Sequence, residues 1–140
     1  MRVYVDSSVV LRHILNDDPA LGRFGTSDML GSSDLLFIEC QRVLQRERME
    51  AHLDDQQFSE SLLVLEAILD SLYLIELGQA VKRRAAGPFP TVIGTRDAIH
   101  LASAILWEEA EPSSQFFVLT YDRQFALCAR AMGVRLLNLA

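Results

Sequence analysis

The sequence predicts a three-layer α/β/α sandwich around a central parallel sheet of about four or five strands. Short apolar runs of strand character alternate with longer stretches of helical spacing along the whole chain. Such alternation implies a parallel sheet covered by helices on both faces, because parallel neighbours need long crossover connections. A length of 140 residues, 50% of them hydrophobic, is about one domain's worth of chain and enough to bury one core without disulfides or structural metal. No internal repeat, linker or low-complexity tract divides it, so residues 1–140 are expected to form a single domain.

The elements follow in order. Residues 2–5 read as a first strand, and a Ser7-Ser8 pair suited to capping precedes helical spacing over 9–15. Residues 27–31 make a weaker second strand, after which Ser32-Ser33 would cap a helix over 34–48. From 54 to 72, Phe58, Leu62, Leu65, Leu69 and Leu72 recur every three or four positions, the stripe of an amphipathic helix. Residues 73–77 read as strand three and 78–86 as a basic helix ending at Gly87. Pro88 and Pro90 then force an extended loop before Gly94 and Thr95 open the next helix. Residues 116–120 form a strongly apolar strand, 123–132 a helix closed by Gly133, and 134–139 a last strand.

The formal net charge of −6 argues against a basic surface that binds nucleic acid by neutralising phosphates. It does not exclude phosphate chemistry, since divalent cations held by carboxylates reverse the local sign of charge. No apolar run approaches the roughly 18 residues of a membrane span, and the chain starts in a strand-like run without a basic leader. A soluble cytoplasmic protein is expected. Cys40 and Cys128, far apart and in apolar helical surroundings, read as reduced core thiols.

In open parallel sheets, ligands bind beyond the carboxyl ends of the strands, where the strand order reverses. Strand one runs into Asp6, and the apolar strand near the end runs through Thr120 and Tyr121 into Asp122. As neighbours roughly 4.8 Å apart, these strands would bring both side chains to one mouth. Each Asp can equally be a helix N-cap, worth about 1 kcal/mol. Asp97 is different: residues 98–107 carry no formal charge and are apolar on nearly every face, the composition of a buried helix. A carboxylate in the first turn gains from the helix dipole, yet its desolvation costs several kcal/mol unless donors or a cation compensate. Glu39 sits where an apolar side with Leu36 and Val43 meets a polar side with Arg42 and Arg46, and pairing with Arg42 would account for it.

Four segments carry a more specific signal: Val3-Tyr4-Val5-Asp6-Ser7-Ser8, the stretch from Ser33 through Glu39 to Leu44, Arg96-Asp97-Ala98-Ile99-His100-Leu101-Ala102, and Thr120-Tyr121-Asp122-Arg123. With the closing Gly133-Val134 they span almost the whole chain, and in combination it resembles PIN-domain ribonucleases, among them the VapC-type toxins of bacterial and archaeal toxin-antitoxin pairs. The resemblance implies that Asp6, Glu39, Asp97 and Asp122 occupy the family's acidic positions and bind Mg2+ or Mn2+ to activate water against an RNA phosphodiester. It also implies supporting hydroxyls at Ser7 and Thr120 and a cognate antitoxin; the Phe58, Leu62, Leu65, Leu69 stripe belongs first to the core, and any surplus could help form a homodimer or an antitoxin groove. His100 reads as a hydrogen-bonded buried histidine rather than a general base, and Tyr121 and Trp107 as packing residues rather than base stackers. The segment 87–93 departs from the resemblance, and is expected to border the cleft, tune substrate choice and be dispensable for the fold. Two other classes compete. One is a non-catalytic scaffold of the same fold that binds RNA or protein, disfavoured by the presence of all four acids. The other is a phosphotransfer domain on a doubly wound sheet, disfavoured because Lys82 is the sole lysine.

Overall fold

Strands β1 (Arg2–Val5), β2 (Met29–Ser33), β3 (Tyr73–Ile75) and β4 (Phe116–Leu119) form a parallel sheet of order β3-β2-β1-β4 in a computed structural model that describes residues 1–138. The helices are α1 (Ser7–Asn16), α2 (Leu36–Met49), α3 (Asp55–Ser71), α4 (Gln79–Ala85), α5 (Thr95–Ala110) and α6 (Arg123–Ala131), with a 3-10 turn at Ala20–Arg23. Successive side chains on a strand point to opposite faces, and β1 divides accordingly. Val3 and Val5 join a core with Val9 and Val10 of α1, Leu36, Cys40 and Leu44 of α2 and Leu65 of α3. Tyr4 points the other way, into a second core with Leu101 and Ile105 of α5 and Phe125 and Cys128 of α6. The three-layer α/β/α sandwich expected from the alternation is thus present, and its strand order reverses between β1 and β4.

Helix ends depart from the expected caps. The second strand lies two residues later than predicted, so Ser32 and Ser33 are buried strand residues. The Ser32 hydroxyl donates across the sheet to the Val5 carbonyl at 2.6 Å, and Ser33 Oγ accepts from Leu35 N at 3.1 Å. Helix α2 starts at Leu36 with no side-chain cap. Ser7 likewise does not cap α1: Asp6 holds the N-cap position, and no side chain caps that end. A serine pair before a helical run signals a cap locally, but a neighbouring strand that leaves a carbonyl within reach claims the hydroxyl instead. Helix α3 follows the local rule, with a capping box between Asp54 and Gln57. The expected last strand is reduced to one parallel bridge, Val118 to Leu136, flanked by bonds from Val118 N to Arg135 O and from Leu137 N to Val118 O at 2.9 and 2.8 Å; Leu139 lies outside the described residues.

The loop at 87–93 and the α3 stripe both pack into the core. In the loop at 87–93, Phe89 and Ile93 pack against the core of Tyr4 and Leu101, and the Arg84 guanidinium lies 5.1 Å from the Phe89 ring. Shortening this loop therefore removes core contacts, contrary to the expectation that it is dispensable. The α3 stripe also packs inward: Leu65 is buried, while Phe58, Leu62, Leu69 and Leu72 lie partly buried on the core of α1 and α2. Among the described residues, no helix is long and apolar enough to cross a membrane.

Trp107 is a packing residue, stacked on Tyr73 at 5.5 Å and edge-on to Phe116 at 5.6 Å. The buried Arg2 lies over its ring and donates to the carbonyls of Trp107, Glu108 and Glu111, closing the C-terminal end of α5 with a cation where the helix dipole favours one. This packing requires Gly31: a Cβ there would fall 2.6 Å from the Trp107 ring and 3.0 Å from the Tyr73 carbonyl. Gly31→Ala is expected to cost about 1–3 kcal/mol of unfolding free energy, since neither the indole nor the β3 backbone can yield cheaply. Urea denaturation with an unchanged slope checks this.

Candidate active site

The pairing of β1 with β4 puts Val5 opposite Leu119, so the residues that follow leave the sheet side by side. Thr120 donates its hydroxyl to Asp6 Oδ2 at 2.7 Å, and Ser8 donates to Asp6 Oδ1 at 2.5 Å. The two loops are tied further by Tyr121 N donating to Ser8 Oγ at 3.0 Å and Asp122 N to Thr120 Oγ1 at 3.0 Å. Asp122 does cap α6, its Oδ1 accepting from Phe125 N at 3.0 Å. Its charge nonetheless reaches both Asp6 and Asp97. The cap reading and the site reading are therefore compatible for this residue.

Glu39, in the first turn of α2, is buried and does not take Arg42 as its partner. Its Oε1 faces His100 Nε2 at 2.5 Å, while Oε2 accepts from Ser7 Oγ at 3.1 Å and lies 3.3 Å from Arg96 Nε. Arg96 and His100 both come from α5, on either side of Asp97 in the sequence. Ser7 bonds Glu39 and Thr120 bonds Asp6, both candidate site carboxylates. His100 is buried and hydrogen-bonded as expected, but its partner is a candidate site residue rather than a group of the core. Its position one turn after Asp97 was the only sequence signal for this; Arg96, Ser8 and Tyr4 gave none.

Burial pushes the Asp6 carboxyl above its ordinary range, opposed by the Ser8 and Thr120 hydroxyls and by His100, and reinforced by the charge of Asp122. Burial also raises Asp97, again with the charge of Asp122 adding, Arg96 opposing and Asp6 contributing. Acids from the ends of β1 and β4 and from the first turn of α5 thus share one electrostatic environment, in which the charge of Asp122 disfavours ionisation of Asp6 and Asp97. A divalent cation reverses that penalty, and an all-oxygen donor set suits a hard one.

The oxygens stand apart. Among the described residues, no three of these carboxylates bring oxygens within 4.8 Å of one another; the set that does is Glu47, Glu50 and His52, at the exposed end of α2. The separation follows from the hydrogen bonds, which turn Asp6 towards two hydroxyls and Glu39 towards His100, Ser7 and Arg96. Mg2+ keeps several of its waters, and a carboxylate reaches it through water as readily as directly, so this spacing is compatible with an open site rather than a closed cage.

Cys40 lies next to Glu39 and is fully buried. Burial, with the charges of Glu39 and Asp6 adding, pushes its thiol up to about 12. Both cysteines are free and buried, in keeping with their reading as core thiols. Ellman's reagent should therefore find no reactive thiol in the native protein at pH 8 and two after denaturation.

In an open parallel sheet ligands bind where the strand order reverses, and Asp6 and Asp122 follow the two strands that flank that point. A family model of the PIN domain matches residues 3–131, and the chain belongs to the PIN-domain family, whose members are generally nucleases and typically use divalent metals. The fold is similar to that of a chain in the crystal structure of VapBC2 from Rickettsia felis bound to a DNA fragment from their promoter. The TM-score is 0.69 at 13% sequence identity, covering 99% of this chain and 98% of that chain. Comparison with curated proteins gives no match.

Proposed function

We propose that this chain is a metal-dependent endoribonuclease, the toxin of a type II toxin-antitoxin pair, with residues 1–140 forming one nuclease domain. The observation that carries the reading is that the pairing of β1 with β4 ties the loop of Asp6 to that of Asp122 through Thr120, beside the first turn of α5 with Asp97. Burial and the charge of Asp122 raise both Asp6 and Asp97, a cost that a counter-ion relieves, and membership of the PIN family supplies the chemical context. In this reading Asp6, Glu39, Asp97 and Asp122 hold Mg2+ or Mn2+. The ion, when bound, lowers the pKa of water and neutralises the phosphate. Ser7 and Thr120 orient Glu39 and Asp6, and Arg96, released from Glu39, stands at the cleft as a cation for the RNA backbone.

The antitoxin is argued from the similar fold, which comes from a VapBC2 complex with promoter DNA. An Arg or Lys of such a partner fits the carboxylate cluster by charge complementarity. A homodimer and a cytoplasmic location belong to the same reading. Retention of all four acids favours it over a non-catalytic scaffold. Incubation of the purified protein with total cellular RNA is expected to give fragments with Mg2+ or Mn2+ and none with chelator. Expression alone should arrest growth, and co-expression of the antitoxin should restore it. Intact RNA with every metal tested would overturn the assignment.

A further inference from the structure

Two fully buried polar side chains have no part in the reaction just described. His100 is 1% exposed and Tyr4 is 0% exposed, so neither meets solvent or substrate. They nevertheless form a continuous line to the site: the Tyr4 hydroxyl lies 2.7 Å from His100 Nδ1, and His100 Nε2 lies 2.5 Å from Glu39 Oε1. The direction of each bond follows from the surroundings. Ser32 and Ser103, the hydroxyls beside Tyr4, spend their protons on the carbonyls of Val5 and Ile99. The Glu39 carboxylate can only accept, so His100 Nε2 donates to it, and in the neutral ring Nδ1 is left to accept from the Tyr4 hydroxyl.

We infer that the Tyr4-His100 pair is a positioning device for Glu39, locking one of its oxygens so that the other is presented for a divalent cation. Tyr4 belongs to β1, at the centre of the sheet, and the His100 ring stands edge-on to it with centroids 5.9 Å apart. A glutamate has three rotatable bonds and loses side-chain freedom when fixed. Here that freedom is removed in advance by a donor with no freedom of its own. Oε2, by contrast, is held by Ser7 and by Arg96, whose side chain is 62% exposed and exchangeable. The two oxygens thus have different partners, Oε1 the buried His100 and Oε2 the Ser7 hydroxyl and the exposed Arg96. Hydrogen-bond partners of metal-binding carboxylates act on affinity in this way.

This inference rests on Glu39 being a metal ligand, and Mn2+ binding without RNA tests it, by calorimetry and by the Mn2+ paramagnetic resonance signal. His100→Ala is expected to weaken Mn2+ binding about 10–100-fold. His100→Gln, whose amide N–H can replace Nε2–H, should recover much of that loss, and Tyr4→Phe should weaken binding several-fold. Cys128→Ala, a deletion in the core that Tyr4 also enters, should lower stability and leave Mn2+ affinity unchanged, separating positioning from general loosening. Should His100→Ala fail to fold, Tyr4→Phe, which removes a single oxygen, decides the matter. Wild-type binding with Tyr4→Phe or folded His100→Ala unaltered overturns this inference alone. A wild-type protein that takes up no Mn2+ overturns it together with the metal-dependent reading.

Discussion

Asp6→Asn and Asp97→Asn will each lower RNA cleavage by about a thousandfold, equivalent to about 4 kcal/mol of transition-state stabilisation. Both replacements are isosteric, so the loss reports charge rather than shape. What separates this expectation from simple damage is the accompanying stability. The folded-state pKa of Asp6 is raised by burial, so its contribution to stability is present below the unfolded carboxylate pKa and is lost as pH rises through the higher folded value. Ionised Asp6 therefore weighs against the native state at neutral pH when no cation is present. Asp6→Asn, measured by thermal unfolding in chelator at pH 7, should melt no lower than wild type while being inactive. The difference between the two proteins should close on acidification below the carboxylate range. A variant that melts well below wild type at pH 7 would mean that the carboxylate stabilises the fold, contrary to this account.

Divalent metal will raise the melting temperature of the wild-type protein, and the rise will vanish in acid. Binding to the folded state alone stabilises by about 2.7 kcal/mol at a hundredfold excess over Kd, which for a chain of this size is on the order of 10 °C. The shift should shrink as pH falls through the raised values of Asp6 and Asp97, because protons and metal compete for the same oxygens. In Asp6→Asn and Asp97→Asn it should be largely lost at any pH. Scanning fluorimetry with Mg2+, Mn2+ and chelator from pH 4 to 8 resolves all three statements. A shift of equal size in the Asn variants would assign the metal to another place, the exposed Glu47, Glu50 and His52 set being the one to examine next.

Much of this architecture was legible in order along the chain. Apolar runs at strand spacing, helices between them and acids where two strands end are local patterns, each written within a few residues, and they predicted the layered parallel sheet and, for neighbouring strands, a common mouth for Asp6 and Asp122. Asp97 was legible for a related reason: a lone charge in an apolar helix advertises its cost wherever the helix packs. The less regular parts were misread where a local signal had a distant competitor. Ser32-Ser33 looked like a cap because serine caps helices, yet the Val5 carbonyl on the neighbouring strand took the Ser32 hydroxyl. The loop at 87–93 looked expendable because it departs from the family pattern, yet Phe89 found a core to enter.

Glu39 marks the boundary between the two kinds of information. From its own helix, Arg42 at i+3 was a sufficient partner, and its residues gave no reason to look further. In the folded protein its oxygens go to Ser7, Arg96 and His100, the last 61 positions away. Periodicity and strand ends are properties of neighbouring residues, so the sequence determined the layers, the strand-end acids and the family pattern. Hydrogen-bond partners are chosen by whatever the packed layers bring within about 3 Å. For that reason only the tertiary structure decided that Tyr4 and His100 reach the carboxylate at all.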